Sequence, residues 1–420
     1  MSGFCLTRRA FLRGSAALTL AGAARCLLAA NETAGSVLSP WTPGTLDIHH
    51  INTGRGNSAL MICPDGTSVL MDAGAANSAA KYLNPARPDE SRRAGQWIAR
   101  YAARQLRATG SRELDHAVIT HLHPDHLGEV SAESPRSALG DYRLTGISDV
   151  EEQLPIRHLV DRGWPSYDYP QPVQDASALN YIAFAKSLSA RGSAVERARV
   201  GHADQIELKK NTAAYPRFSV RMIAGNGEVW TGNGEESAAH FPAINTLKPA
   251  DYPSENMCSL AMKISYGKFG YFTGGDLTCD TNYGRDPWRD IETPVSRACG
   301  RVSVATVDHH GYFDAAGPDF VRALEARVWV LQAWHASHPA MSTLANLYST
   351  QLYAGPRDVF SVGLHEAAAL TTARFSDLLK SREGHVLVRV SAPGNAYQVI
   401  VLDDTDESDH VKAVFGPYAV

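Results

Sequence analysis

Long apolar segments, short repeats and low-complexity linkers are all missing from this chain of 420 residues. A single apolar run, near the N-terminus, approaches the length of a membrane span, which excludes a polytopic membrane protein. Apolar residues make up 44% and charged residues 20% of the chain, a balance that excludes a disordered chain, a collagen or a coiled coil. Because no linker divides the remainder, we predict one large α/β domain with insertions.

Cysteine is also scarce, with 6 residues whose spacings match no zinc motif. Two of them, Cys5 and Cys26, fall within the first thirty residues. Cys258 and Cys279 flank adjacent strand-like runs. Two interpretations of this pair stay open, a disulfide bond or small buried residues with free thiols.

Residues 1–30 have the composition of an export signal. They contain four arginines and no acid, and the pair Arg8-Arg9 precedes Phe11-Leu12 and a stretch of small apolar residues. This order resembles a twin-arginine signal peptide, so we expect a periplasmic or secreted protein without a membrane span in the mature chain. An uncleaved membrane anchor is the alternative, and residues 31–44 are expected to be a polar leader.

Beyond residue 30, the chain carries 36 Lys and Arg against 44 Asp and Glu, a net charge of −8. A chain of this sign has no general attraction for polyphosphate. Nucleic acid is therefore disfavoured as a partner unless a local basic patch exists, and a small-molecule or headgroup-like substrate fits the charge better.

Alternating and apolar runs predict the secondary structure from residue 45 to residue 402. An early hairpin is expected around the turn Pro64-Asp65-Gly66-Thr67, because Pro-Asp-Gly separates two apolar runs. An insertion near 129–200 is predicted to be irregular up to residue 180, and 403–420 to be an acidic tail with a mobile start. Helices are predicted at 89–109, 181–192, 317–327 and 341–349, and strands at 114–120, 269–273, 302–308 and 328–333, with a final hairpin at 385–402.

The densest chemical signal is His121-x-His123-x-Asp125-His126, four metal-capable side chains in six residues directly after an apolar strand. Residues two apart in extended backbone point to the same side, so His121 and His123 can face one cation. Pro124 then turns the chain, which allows Asp125 and His126 to face a second position nearby.

Three further features stand at the ends of other apolar runs: Asp72, Asp276 and the pair His309-His310. Asp276 could bridge two cations, because a carboxylate has two oxygens. His309 or His310 could close the second position. Each is a common capping or turn residue in isolation, and it is the six-residue cluster that makes a ligand role plausible.

The cluster, with Asp72 before it and Asp276 and His309-His310 after it, resembles the metallo-β-lactamase superfamily. The resemblance covers about residues 45–402 and implies a four-layer αββα sandwich, an α/β (α+β) fold, with metals at one edge of two sheets. Thr53-Gly54-Arg55-Gly56-Asn57-Ser58, Asn256-Met257-Cys258-Ser259-Leu260 and Val307-Asp308-His309-His310-Gly311 are similar to segments of the soluble hydrolase domain of ComEC and its stand-alone relatives. No DNA-uptake role carries over, because the membrane channel of ComEC is missing.

The resemblance also implies roles for individual residues. Many superfamily members supply a third histidine to the first metal, but His158, His202 and His240 have no convincing setting, and the ComEC-like group carries the Asn256–Leu260 segment there. We expect a more open first site and a tighter second site. His121, His123 and Asp276 would form the first, and Asp125, His126, Asp276 and His310 the second.

Catalysis is expected to use water activated by two divalent ions, with Zn²⁺ favoured and Mn²⁺ or Fe²⁺ possible. Asp125 would orient that water or move its proton, and Asp72 and Asn256 would act from behind the ligands. His309 would contact substrate, although an exchange of roles with His310 is nearly as plausible. Further substrate contacts are predicted at Trp164, Tyr167 and His338.

The favoured function is an exported metal-dependent hydrolase of phosphoester or phosphodiester bonds. An acyl-bond hydrolase, acting on a lactone, thioester or β-lactam, is the second hypothesis. A non-enzymatic, metal-binding member of the fold is the third.

Overall fold

The computed structural model describes residues 32–78 and 80–420. The signal peptide predicted for residues 1–30 lies outside the described residues. Within the described ranges, the helices are too short or too polar to cross a membrane.

The first sheet of the described chain has nine strands, in which the early part of the sequence meets the C-terminal part. They are β1 (Leu46–His50), β2 (Ala59–Ile62), β3 (Ser68–Met71), β4 (His116–Val118), β5 (His158–Asp161), β6 (Ala194–Arg197), β15 (His385–Ser391), β16 (Ala396–Leu402) and β17 (Val411–Ala419). Their order across the sheet is β17-β16-β15-β1-β2-β3-β4-β5-β6.

The second sheet of the described chain has eight strands from the middle of the sequence. They are β7 (Phe218–Gly225), β8 (Glu228–Trp230), β9 (Ser237–Ala239), β10 (Ala261–Tyr266), β11 (Phe269–Thr273), β12 (Val304–Thr306), β13 (Val328–Leu331) and β14 (Asp358–Ser361). Their order is β14-β13-β12-β11-β10-β7-β8-β9.

Helices cover the outer face of each sheet. They are α1 (Ala94–Leu106), α2 (Pro124–Leu127), α3 (Ile147–Glu151), α4 (Ala176–Ala190), α5 (Glu292–Cys299), α6 (Pro318–Leu324), α7 (Met341–Tyr348), α8 (Glu366–Thr371) and α9 (Ala373–Ser376). The helices α1, α3 and α4 contribute to one core with the first sheet, and α5, α6 and α7 to another with the second sheet.

Side-chain alternation along the strands separates three apolar cores. Leu70 of β3 lies in the core beneath α1 and α4, whereas Val69 and Met71 lie in the core between the two sheets. A third core packs Trp329 of β13 against Phe320 of α6. Three cores between four layers make the αββα sandwich, and the predicted fold class is confirmed.

Two helices differ from their predicted bounds because local capping decides where they begin. The predicted helix 89–109 starts only at Ala94, after Arg93 in extended backbone, and ends through a short 3₁₀ turn before Gly110, whose φ is +74°. The predicted helix 181–192 begins earlier, at Ala176, because the Asp175 carboxylate accepts hydrogen bonds from two first-turn amides. The segment predicted to be irregular up to residue 180 also contains α3 and β5.

The prediction of an acidic tail after residue 402 is wrong. The strand β17 pairs antiparallel with β16 and forms the edge of the first sheet. The acidic segment before it is held on α1, where Arg100 and Arg104 donate hydrogen bonds to Glu407 and Arg104 also to Asp409. Sequence composition showed a charged segment but not the arginines on the distant helix that bind it.

Candidate metal centre

The candidate site lies where parallel strands of both sheets end. In the first sheet β3 and β4 are parallel, and in the second sheet β11 and β12 are parallel. Asp72 follows β3, the His121–His126 segment follows β4, Asp276 follows β11 and His310 follows β12. The carboxyl ends of these strands share one edge of the sandwich, and this topology brings together residues that are far apart in the sequence.

Four side chains form the first group of donors at this edge. Asp125, His126, Asp276 and His310 each offer an atom within 4.8 Å of the others. Nε2 of His126 lies 3.1 Å from Oδ1 of Asp276, and Nε2 of His310 lies 2.8 Å from Oδ2 of Asp125. The group is the one that the sequence predicted for the second, tighter position.

The second group of donors consists of His121, His123 and Asp276, whose ligand atoms also lie within 4.8 Å of one another. Nε2 of His121 lies 3.1 Å from Nδ1 of His123 and 3.7 Å from Oδ2 of Asp276. Asp276 therefore belongs to both groups, one carboxylate oxygen facing His126 and the other facing His121 and His310. A shared carboxylate between two donor sets is the arrangement expected of a bridging ligand.

The buried carboxylates and imidazoles of the site shift each other's pKa values. Burial works to raise the pKa of Asp276, but the adjacent His126 and His310 outweigh it and hold that pKa well below its usual value. Burial likewise works to lower the pKa of His310, but Asp276 and Asp125 raise it to about 9. The carboxylates and imidazoles thus shift each other's pKa values in opposite directions, and divalent cations at the same donors would compensate the carboxylate charge directly.

Two buried atoms show that the donor set suits cations. Nε2 of His126 and Oδ1 of Asp276 face each other without a hydrogen-bond partner. Unpartnered buried polar atoms are costly unless an ion or water satisfies them. Imidazole and carboxylate are also the ligands that Zn²⁺ binds in catalytic sites, and they suit Mn²⁺ and Fe²⁺. The residues present therefore fit divalent cations.

Asp72 lies directly behind His126. Its Oδ2 is 2.7 Å from Nδ1 of His126 and accepts a hydrogen bond from the Thr120 hydroxyl, while Oδ1 accepts from the Thr120 amide at 2.8 Å. A carboxylate at Nδ1 keeps the proton on that nitrogen and leaves Nε2 free to bind a cation. The contact is the one expected for Asp72, although its effect on metal affinity stays a prediction.

The Asn256–Leu260 segment supports the site through three hydrogen bonds. Nδ2 of Asn256 lies 3.1 Å from Nε2 of His309, and the Ser259 hydroxyl accepts from the amide of Asp276. The amide of Leu260 donates to the carbonyl of Thr120. This segment thus joins the loops after β4, β11 and β12.

His309 and His310 both adopt left-handed backbone, with φ of 45° and 55°. Residues with side chains rarely adopt this region, and such strain is concentrated at functional sites. The turn directs the two rings differently: His310 joins the four-donor group, whereas Nδ1 of His309 lies 2.7 Å from a carboxylate oxygen of Asp314. His309 keeps 16% of its side chain exposed.

Two glycines pack against the backbone of Asp125: Gly56, in the early Gly-Arg-Gly-Asn segment, and Gly74, in the loop after β3. A Cβ on Gly56 or on Gly74 would lie 2.3 Å or 2.0 Å from the carbonyl oxygen of Asp125. The amide of Asn57 donates to that same carbonyl at 2.8 Å. Close backbone approach therefore positions Asp125, and only glycine leaves enough room for it.

A buried ion pair that sequence reasoning missed holds the His121–His123 segment. Oε1 of Glu255 accepts from the amide of Leu122 at 2.7 Å and from Nε of Arg162 at 2.6 Å. Arg162 is 2% exposed and also donates to the Tyr169 carbonyl and to Oδ1 of Asn226. No local pattern marks these residues, because they come from opposite sheets.

The three predicted substrate contacts lie in different surroundings. Tyr167 is buried in the core beneath α4 and donates its hydroxyl to Asp161, and Trp164 packs against that same core. His338 is buried and stacks on His310 with ring centroids 4.9 Å apart. Of the three, only His338 contacts the donor groups.

The remaining histidines and cysteines take structural positions. His158 lies on β5 with Nδ1 2.9 Å from Nδ1 of His116, and His202 and His240 lie outside both donor groups. Cys258 and Cys279 are free thiols, so the disulfide interpretation is wrong; Cys258 is buried as the alternative expected, whereas Cys279 is partly exposed.

Two cavities border this edge of the described chain. A groove of about 350 Å³ contains His123 in its wall, whereas a larger cavity of about 700 Å³ behind the glycine loop is lined by none of the six donor residues. Of these two cavities, the groove is the one with a donor residue in its wall.

The fold and the donor groups together define an αββα sandwich with a metal-type centre at the strand ends. The family model of the metallo-beta-lactamase superfamily matches residues 52–134, which include the His121–His126 segment. This match supports placing the chain in that superfamily. A search of curated proteins found no match.

Proposed function

We propose that this protein is a metal-dependent hydrolase of phosphoester or phosphodiester bonds that binds two divalent ions, Zn²⁺ or alternatively Mn²⁺ or Fe²⁺. The observation that carries the proposal is the pair of donor groups that share Asp276. Such ions supply Lewis acidity and a nucleophilic hydroxide at neutral pH. Within the described part of the chain, no third histidine joins the donor group of His121 and His123, which leaves room for an oxygen-rich substrate group and favours phosphoesters.

Individual residues of the chain hold the ions, orient the attacking water and contact the substrate. His121 and His123 hold one position, and His126 and His310 hold the other, with Asp276 between them. Oδ2 of Asp125, 2.8 Å from Nε2 of His310, orients the attacking water and accepts its proton. His309 is oriented by Asp314 at Nδ1 and by Asn256 at Nε2, and contacts the substrate through the exposed part of its ring.

The test combines a metal count with a substrate panel. The purified chain is loaded with each metal, and bound ions are counted and identified by mass spectrometry. We expect two ions per chain, and turnover of bis-p-nitrophenyl phosphate that Asp276→Ala abolishes. Turnover of nitrocefin or a thioester without any phosphodiester cleavage would instead establish the acyl-bond hydrolase. A fully metal-loaded chain that cleaves no substrate would establish a binding protein.

We further propose that the chain is exported by the twin-arginine route to the periplasm or beyond. The support is the order of Arg8-Arg9, Phe11-Leu12 and a small-residue apolar stretch. Replacing both arginines with lysine should retain the protein in the cytoplasm of a bacterium that has this pathway. Unchanged fractionation of that variant would refute the route.

A further inference from the structure

The groove beside His123 has a composition that distinguishes between substrates. Its apolar residues come from the loop after β5, which supplies Tyr169, Pro170, Pro172 and Val173, and from the loop before β10, which supplies Pro253. Its volume of about 350 Å³ is within the range of small-ligand pockets. A single organic group of modest size would fill it while the adjoining phosphoryl group lies at the donor groups.

Charge in the groove is unfavourable to an anion. Arg162 is the one lysine or arginine in its wall, and its guanidinium is engaged by Glu255, Asn226 and the Tyr169 carbonyl. Glu255 neutralises that cation, and the carboxylate of Asp175 adds a further negative charge at the rim. A second phosphate placed here would meet one uncompensated carboxylate, that of Asp175, and no unpaired lysine or arginine in the groove wall, an arrangement that repels it.

We infer that this groove is the subsite for an uncharged, apolar or aromatic group esterified to the phosphate, so that the preferred substrates are small phosphodiesters of such alcohols and not polynucleotides. The inference rests on the proposed function. It assigns the substrate's organic group to the wall formed by residues 169–175 and 253–255, next to the donor group of His121, His123 and Asp276.

Three diesters with the same reporter test the inference on the metal-loaded full chain. They are p-nitrophenyl phenyl phosphate, the p-nitrophenyl ester of thymidine 5′-phosphate, and that ester with an added 3′-phosphate. We expect kcat/KM for the phenyl ester to exceed that for the 3′-phosphorylated ester by at least about tenfold, because the latter places a second anion in the groove. Equal values would overturn the inference.

Two exposed glutamines allow a matched addition of positive charge. Gln171 and Gln174 line the groove and are exposed, whereas Gln351 is exposed elsewhere. Gln171→Arg combined with Gln174→Arg should reduce the preference for the phenyl ester by at least about fivefold, since added cations attract the second phosphate. Gln351→Arg should leave the preference unchanged, and metal content should stay the same in every variant. A preference that the groove variant does not alter would overturn the inference.

Failure of the proposed function can be distinguished from failure of the subsite inference. If no diester is hydrolysed, binding of diphenyl phosphate and of thymidine 3′,5′-bisphosphate is measured by calorimetry with the same variants. A preference for diphenyl phosphate that the double variant reduces would retain the subsite while refuting the hydrolase. No such preference, or one that the double variant leaves unchanged, would overturn the subsite as well.

Discussion

Replacement of Asp72 by asparagine should selectively weaken one of the two metal positions. In the structure, Oδ2 of Asp72 lies opposite both Nδ1 of His126 and the Thr120 hydroxyl. An amide NH₂ in this place would donate to Nδ1, so the histidine proton would move to Nε2, the atom that faces Asp276. The backbone should tolerate the change, because Asp72 has φ +59° and asparagine readily adopts left-handed backbone.

Loss of such a hydrogen-bonding partner typically costs about 10- to 100-fold in metal affinity, which corresponds to about 1.4–2.7 kcal/mol. We expect this loss at the position formed by Asp125, His126, Asp276 and His310, and little change at the position formed by His121 and His123. Competition titration with a chromophoric chelator measures the two dissociation constants. Nitrogen NMR of the metal-loaded protein reports the His126 tautomer.

Asp115→Asn is a matched control. The Asp115 carboxylate accepts hydrogen bonds from the amide and hydroxyl of Ser68, at the opposite end of β3 from Asp72. This variant should bind both ions as the unaltered protein does. If Asp72→Asn leaves both dissociation constants unchanged, or weakens both equally, the argument from the tautomer is refuted.

Three further changes test other parts of the structure. Glu255→Gln should weaken binding at the position formed by His121 and His123 by about tenfold, because it leaves Arg162 without its countercharge; an effect confined to the other position in a chelator titration would contradict this. Gly74→Ala should destabilise the fold by about 3 kcal/mol in urea unfolding, against about 1 kcal/mol for Gly110→Ala, which has open space around it. His50 is buried with its pKa lowered from 6.5 to about 4, so the folded state resists protonation and about 3 kcal/mol of stability should be lost as pH falls from 6.5 to 4. The variant His50→Gln should show a shallower pH dependence of unfolding, and an unchanged slope would contradict the assignment.

The sequence by itself predicted the residues of the two donor groups, and through the family resemblance that these residues carry it predicted the fold class. Alternating strands predict sheets with distinct faces, and a chemically rare cluster directly after a strand predicts a site at a sheet edge. His121, His123, Asp125 and His126 could be recognised because they are close in the chain. Asp276 and the late histidines could be recognised because each follows an apolar run.

Only the tertiary structure decided which oxygen of Asp276 faces which histidine, and how the left-handed turn separates His309 from His310. It also revealed Glu255, which lies 133 positions after the amide that it binds. The edge strand Val411–Ala419 likewise depends on a distant partner strand. Local patterns encode backbone preference and burial, whereas these features depend on contacts between segments that meet only when the two sheets pack together.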